Sequence, residues 1–339
     1  MRQLIIGYAM NPSLMGVTAE DVTLLTHVNL AFGLVKDGLL SMDMLPDIAV
    51  VRKWKKWNPE LQIVLSVGGW GAGGFSTMAM TEKGRIAFAQ SCLKVLRQYD
   101  LDGVDIDWEY PCSDLAEIDC DPADKENFTR LLQTLRDVLG EKYILSIAAG
   151  ASEDYIRDTQ MDRVAEIVDY VMLMTYDMRS GFTPQAGHHA ALGASRGDTT
   201  KTNTRAVVEL FHEAGVPYEK MIVGAAFYSR LFTDVVNQNN GLLQKASVGF
   251  AGPTYGELTE QFLRENGYRE YWDKDAQAAY LWNGSTFLSY ESPEAVRCKA
   301  RYAREKGLLG IMYWEHGGDP GRVLLKAIAG VTAQAKDCT

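Results

Sequence analysis

Residues 102–109 read Asp-Gly-Val-Asp-Ile-Asp-Trp-Glu, four carboxylates in eight positions. Val104, Ile106 and Trp108, which separate them, have strong strand preference. In a strand, Asp105, Asp107 and Glu109 point to one face and Val104, Ile106 and Trp108 to the other. Neighbours on the acidic face then stand roughly 6.5–7 Å apart at the α-carbon, two rises of about 3.3 Å. Three carboxylates that close, on a strand otherwise built for burial, repel one another and resist simultaneous ionisation. One explanation is a surface edge strand protected by charge. The other is general acid chemistry, with neighbours raising the pKa of one carboxyl so that it keeps its proton near neutrality. Asp102 has the opposite parity and reads as support at the strand entrance.

Such a strand needs a scaffold. A chain of 339 residues, 47% hydrophobic and 23% charged, has material for a large core. Apolar runs near 3–8, 26–32, 61–67, 102–107, 143–149, 168–174, 220–227 and 309–314 read as parallel strands buried on both faces. Amphipathic patterns alternate with them, for example Arg85 to Tyr99 and Lys125 to Leu139. Eight strands separated by helices, with right-handed crossovers, predict a (β/α)8 barrel. One connection breaks the rhythm. Residues 231–291 are rich in aromatics, among them Tyr255, Phe262, Tyr268, Tyr271, Trp272, Tyr280, Trp282, Phe287 and Tyr290, with Asn283-Gly284 as a hairpin signal. This stretch predicts a small α+β insertion domain, with 1–230 and 292–339 forming the barrel. In such barrels active groups sit at the C-terminal ends of strands, where Glu109 falls.

Asp102, Asp105, Asp107 and Glu109 match the D-x-x-D-x-D-x-E signature of family 18 glycoside hydrolases, the chitinases and their relatives. Ser66-Val67-Gly68-Gly69 matches that family's S-x-G-G, and Met174-Thr175-Tyr176-Asp177 its M-x-Y-D. The chain resembles this family from Tyr8 to Asp319. The resemblance implies hydrolysis of β-1,4 linkages between N-acetylglucosamine units with retention, the substrate's own 2-acetamido oxygen attacking the anomeric carbon. It implies Glu109 as general acid and then base, Asp107 as the group that holds the acetamido N–H, and Asp105 sharing a proton with Asp107. Tyr176 would hydrogen-bond the acetamido oxygen, and Asp177 would assist binding. Tyr8 and Ser66 resemble the hydroxyls that bond the inner aspartate, and Trp314 the tryptophan that floors the cleaved sugar's subsite. Phe32, Gly69, Trp70, Tyr110, Met174, Tyr228 and Arg230 complete the expected substrate-binding set. The position of the insertion resembles that of deeper-cleft chitinases, where it walls the sugar groove; its aromatics also read as the core of a small module. There is one departure: Ala226 stands where relatives often show proline in G-x-P-x-Y-x-R, loosening one backbone angle.

A net charge of −10 and a pI near 5.1 argue against nucleic acid or anionic membrane as partner. No run of about 20 apolar residues is present to span a bilayer. The expected partner is an N-acetylglucosamine-containing glycan, the expected state a monomer, and no cofactor or metal is implied. Met1-Arg2-Gln3 leads straight into the first strand without a signal-peptide pattern, which predicts a cytoplasmic protein, or a secreted one whose leader was removed. Cys92, Cys112, Cys120, Cys298 and Cys338 form no pairing pattern; Cys112 and Cys120 could bridge, but free thiols are expected. His188-His189 reads as a loop-surface pair or a contact at the cleft rim. The same residues leave two other readings open: the same mechanism on N-glycan cores or peptidoglycan, and a non-catalytic chitin-binding lectin.

Overall fold

The computed structural model describes residues 3–181, 183–247 and 249–333; Met1, Arg2 and Cys338 lie outside them. Eight parallel strands, Leu4–Met10, His27–Lys36, Gln62–Gly68, Gly103–Asp107, Ile144–Gly150, Tyr170–Met174, Met221–Ala226 and Gly310–Trp314, pair in chain order, and the eighth returns to pair with the first. This is the expected (β/α)8 barrel. Each strand lies within two residues of the run read from the sequence except the second, which continues to Lys36. There it turns through Asp37 and Gly38, at φ +52° and +75°, and pairs antiparallel with Leu39–Ser41.

Alternation along the strands builds two separate apolar regions. Outward residues such as Val104, Ile106, Leu145 and Val171 pack under the helices, while Ile6, Tyr8, Met172, Met174, Ile222 and Met312 fill the barrel bore. The helix Glu82–Tyr99 starts where the Thr81 hydroxyl accepts the Gly84 N–H at 3.0 Å and stops at Asp100 in the left-handed region. It buries Phe88, Ala89, Cys92 and Leu96, spaced for a single face. Helix Asp124–Leu139 does the same with Phe128, Leu131, Leu132, Leu135 and Leu139. Each fully buried Leu or Phe of this kind contributes about 1.5–3 kcal/mol.

After the seventh strand the chain forms a five-stranded antiparallel sheet in the order Phe250–Thr254, Tyr228–Phe232, Phe287–Tyr290, Ala278–Trp282, Arg269–Asp273. Its strand Tyr228–Phe232 begins two residues beyond barrel strand seven, so Tyr228 and Arg230 belong to this sheet. One face buries Phe232, Tyr280, Trp282 and Phe287 against Ala186 of the loop after strand six. The other packs Ala279, Leu281, Leu288 and Tyr290 against Phe262 and Tyr268. Most of the aromatic side chains of this segment are therefore core, and Phe250 and Trp272, 53% and 40% exposed, are the clearest exceptions. Cys92, Cys112, Cys120 and Cys298 are free thiols.

Candidate active site

Strand four lies between strands three and five, so its charges cannot be protecting an edge. Its parity is as expected: Trp108 faces the helices, stacked on Phe75 at 5.3 Å and edge-on to Phe128 at 5.9 Å, and the acids enter the bore. Asp102 accepts the Ile63 N–H at 2.6 Å and Lys55 at 2.9 Å, pinning the strand entrance. Asp105, fully buried, sits level with Ser66 on strand three and Ser146 on strand five. It accepts hydrogen bonds from Tyr8 at 2.8 Å, Ser66 at 2.8 Å and Ser146 at 2.9 Å. Burial raises its pKa against these three donors.

One step nearer the mouth, burial and then the charges of Glu109 and Asp105 push the Asp107 carboxyl well above its ordinary range. Among the described residues, Asp107 Oδ1 is buried without a partner. No hydrogen bond joins Asp105 to Asp107 among the described residues: three hydroxyls already occupy Asp105, and the two acids interact through charge. Glu109 completes the row. Burial, opposed by the Tyr110 hydroxyl and assisted by the charge of Asp177, raises it to about 7.

The S-x-G-G segment explains itself by space. Gly68 has φ +123°, and a β-carbon on it would lie 1.9 Å from the Asp107 carbonyl oxygen. Gly69 has φ +94°, and a β-carbon there would meet the Phe32 ring at 2.6 Å. Its N–H donates to the Asp107 carbonyl at 2.8 Å, so Gly69 meets the acidic strand through its backbone.

Around the mouth, Trp314 ends strand eight with Phe32 stacked on it at 5.3 Å and Tyr8 at 5.7 Å. Trp70, 56% exposed, stands edge-on to Tyr110 at 6.3 Å. Met174 lies in the bore beside Tyr176 and Trp314. Among the described residues, the Tyr176 hydroxyl reaches only Met312 Sδ, at 3.9 Å. Tyr228 stands edge-on to Tyr176 at 6.1 Å. Arg230 donates twice to Asp177, at 2.5 and 2.6 Å. Burial works to raise Asp177, but His189 and Arg230 outweigh it and hold the carboxyl below its usual range.

The histidine pair is not on the surface, a correction to the sequence reading. The insertion sheet covers the loop after strand six and buries both. His188 Nε2 lies 3.3 Å from Asp273, among Tyr280 and Phe287. The His189 N–H donates to Ser289 of the insertion at 3.0 Å, and its Nδ1 is 3.4 Å from Asp177. Sequence reasoning named His189 as a loop-surface or cleft-rim residue and missed its burial, because its partner Ser289 comes from a sheet a hundred residues on. It also missed Ser146, although a lone hydroxyl in Ile144-Leu145-Ser146-Ile147 was a usable signal. Among the described residues, no group of three or more His, Cys, Asp or Glu side chains is placed to hold a metal ion.

The arrangement supplies an acid near neutrality, an adjacent buried carboxyl with a free oxygen, and aromatic faces around both. The family model described as "Glycosyl hydrolases family 18" matches residues 5–319. Chitinase A1 of Niallia circulans is 36% identical over 303 residues, covering 82% of this chain and 43% of that protein. Mouse chitotriosidase-1 is 30% identical over 322 residues, covering 87% of this chain and 67% of its own length. This chain thus spans less than half of the first of these relatives. A solved structure described as a family 18 N-acetylglucosaminidase from Paenibacillus barengoltzii superposes with a TM-score of 0.95 at 44% identity, covering 97% of this chain and 99% of that one. The match over most of its length, with this barrel and this acidic strand, shows that the chain belongs to the glycosyl hydrolases of family 18.

Proposed function

We propose that this protein hydrolyses β-1,4 linkages in N-acetylglucosamine oligomers by substrate-assisted, retaining catalysis. The observation that carries the reading is the buried Asp107 oxygen without a partner, beside an acid raised to about 7. An unpaired buried acceptor is costly unless a ligand donor meets it. The 2-acetamido N–H of the sugar is such a donor. Glu109 gives its proton to the glycosidic oxygen as the C1–O bond breaks. The acetamido carbonyl oxygen bonds to C1, and Asp107 holds the N–H and offsets the positive oxazolinium charge. Tyr176, whose hydroxyl has only a thioether nearby, donates to the acetamido oxygen. Glu109, now a carboxylate, takes a proton from water as that water attacks C1 from the face the leaving group vacated, and the bond from C1 to the acetamido oxygen breaks to restore the acetamido group. Trp314 and Phe32 offer a stacked floor for the cleaved sugar, with Tyr8, Ser66 and Ser146 holding Asp105 beneath. Trp70, Tyr110, Met174, Asp177, Tyr228 and Arg230 line the path around it. The chain acts as a monomer in this reading, since every one of these groups comes from one polypeptide. Among the described residues no helix is long and apolar enough to cross a membrane.

Chitooligosaccharides of two to six units, a matched glucose series, a glycopeptide and a muropeptide provide the test. Cleavage of the chitooligosaccharides alone, with retained β-products, is expected; comparable turnover of the glucose series would sink the reading. A second reading, release of single N-acetylglucosamine units from chain ends, is favoured by the 44% identity to the Paenibacillus N-acetylglucosaminidase. Product lengths at early times separate it, since only monosaccharide would accumulate first.

A further inference from the structure

Between barrel strands six and seven the pairing ends early. It stops at Leu173 and Val223, although strand seven continues to Ala226. The next backbone groups of strand seven meet side chains instead of a strand. The Thr175 hydroxyl accepts the Gly224 N–H at 2.8 Å and donates to the Gly224 carbonyl at 2.9 Å. Lys299 donates to the same carbonyl at 2.9 Å, to the Thr175 carbonyl at 3.5 Å, and to Glu291. Glu291 in turn accepts the Ala226 N–H at 3.4 Å. Ala226 stands where the family motif has proline, so this chain has an N–H here that needs an acceptor.

The Lys299 and Glu291 side chains are 1% and 2% exposed. A buried ion pair is a poor device for stability alone, because well-packed apolar side chains of the same volume do as well or better. What this pair does have is a location. A β-carbon added to Gly224 would lie 2.8 Å from Tyr176 Cε1, so the tyrosine ring rests directly on the backbone that Lys299 and Thr175 hold. Thr175 is also the residue that precedes Tyr176. Misplacing a reacting contact by about 1 Å costs about 10²-fold in rate.

We propose that Glu291, Lys299 and Thr175 are positioning residues that clip the split ends of strands six and seven and so fix the Tyr176 hydroxyl against the acetamido group. The clip rests on the role given to Tyr176 above. The experiment is a double-mutant cycle on a chitooligosaccharide, combining Glu291→Leu/Lys299→Met with Tyr176→Phe. The apolar pair is expected to fold, with a melting temperature lowered by the Ala226 N–H it leaves unpaired, and to lower kcat at least about tenfold with KM little changed. In the Tyr176→Phe background the same replacement should change kcat less than about twofold, because the hydroxyl it holds is gone. Thr175→Val should behave like the apolar pair, and Thr175→Ser should restore the rate. Unchanged kcat in the apolar pair, or an equal loss in both backgrounds, overturns the clip. If the apolar pair does not fold, Thr175→Val and Thr175→Ser in both backgrounds decide by the same criterion. Failure of the underlying reading looks different: a wild type idle on chitooligosaccharides, or a fully active Tyr176→Phe, leaves nothing to position and overturns the clip as well.

Discussion

Glu109 is held near neutrality by burial, against the Tyr110 hydroxyl and with the charge of Asp177. The alkaline limb of kcat/KM should therefore fall near pH 7. Asp107→Asn removes the carboxyl that offsets the oxazolinium charge, so turnover should drop about 10²–10³-fold. The charge that raises Glu109 is that of Asp177, so Asp177→Asn should move the alkaline limb to lower pH, and an unmoved limb would show that this charge does not act on Glu109. The same carboxyl has a stability consequence. Its folded pKa is raised, so its contribution is fully present below about 4.5 and is lost as pH rises through about 7. The span corresponds to about 3 kcal/mol. Glu109→Gln should remove that slope and all turnover, giving a melting temperature that changes less than the wild type's between pH 5 and 8. Strand parity made this row of acids legible in eight residues of sequence. Their partners were legible only in part: Tyr8 and Ser66 came from the resemblance, Ser146 left a lone hydroxyl in an apolar run as its one signal, and His189 depends on long-range packing that no local pattern encodes.

At the scale of elements, strand four is fixed at both ends by different means. At its entrance Asp102 takes the Ile63 N–H and the Lys55 ammonium; near its exit Gly69 donates to the Asp107 carbonyl and Gly68 lets the two backbones touch. Asp102→Ala strands a backbone donor and should cost about 1–3 kcal/mol, seen as a lower melting temperature, with kcat within twofold of the wild type. A comparable loss of kcat with unchanged stability would assign Asp102 to the chemistry instead. The eight barrel strands were legible because burial on both faces writes each as an apolar run. The short helices Asn11–Leu14, Phe75–Ala79 and Glu153–Arg157 were not, since four or five residues carry too few periods to read. The hairpin after strand two was legible in Asp37-Gly38, a turn dipeptide whose two positive φ values the structure shows, but the apolar run alone drew attention away from it.

On the scale of the whole molecule, the insertion sheet does more than stand beside the barrel. It covers the loop after strand six, sets Tyr228 against Tyr176 and Arg230 against Asp177, and ends in Glu291, which reaches under strand seven. Its composition announced a separate small core, yet which face would meet the barrel depends on pairings that sequence spacing does not reveal. The bore itself has one further property. Met172 Sδ lies 3.6 Å from the Tyr8 hydroxyl and 3.7 Å from the Asn29 amide, and Met312 Sδ 3.9 Å from the Tyr176 hydroxyl. Both methionines are fully buried, whereas Met15, Met44 and Met80 are 71%, 55% and 53% exposed. Peroxide should oxidise these three first and leave activity intact. Inactivation should wait for Met172 or Met312, whose sulfoxides would set a polar oxygen against groups that now face a soft sulfur. Oxidant reaches them only when the barrel opens, so the inactivation rate should rise with sub-denaturing urea and fall in a Met172→Leu/Met312→Leu variant. Slow oxidative loss of activity thus becomes a clock for the breathing of the barrel.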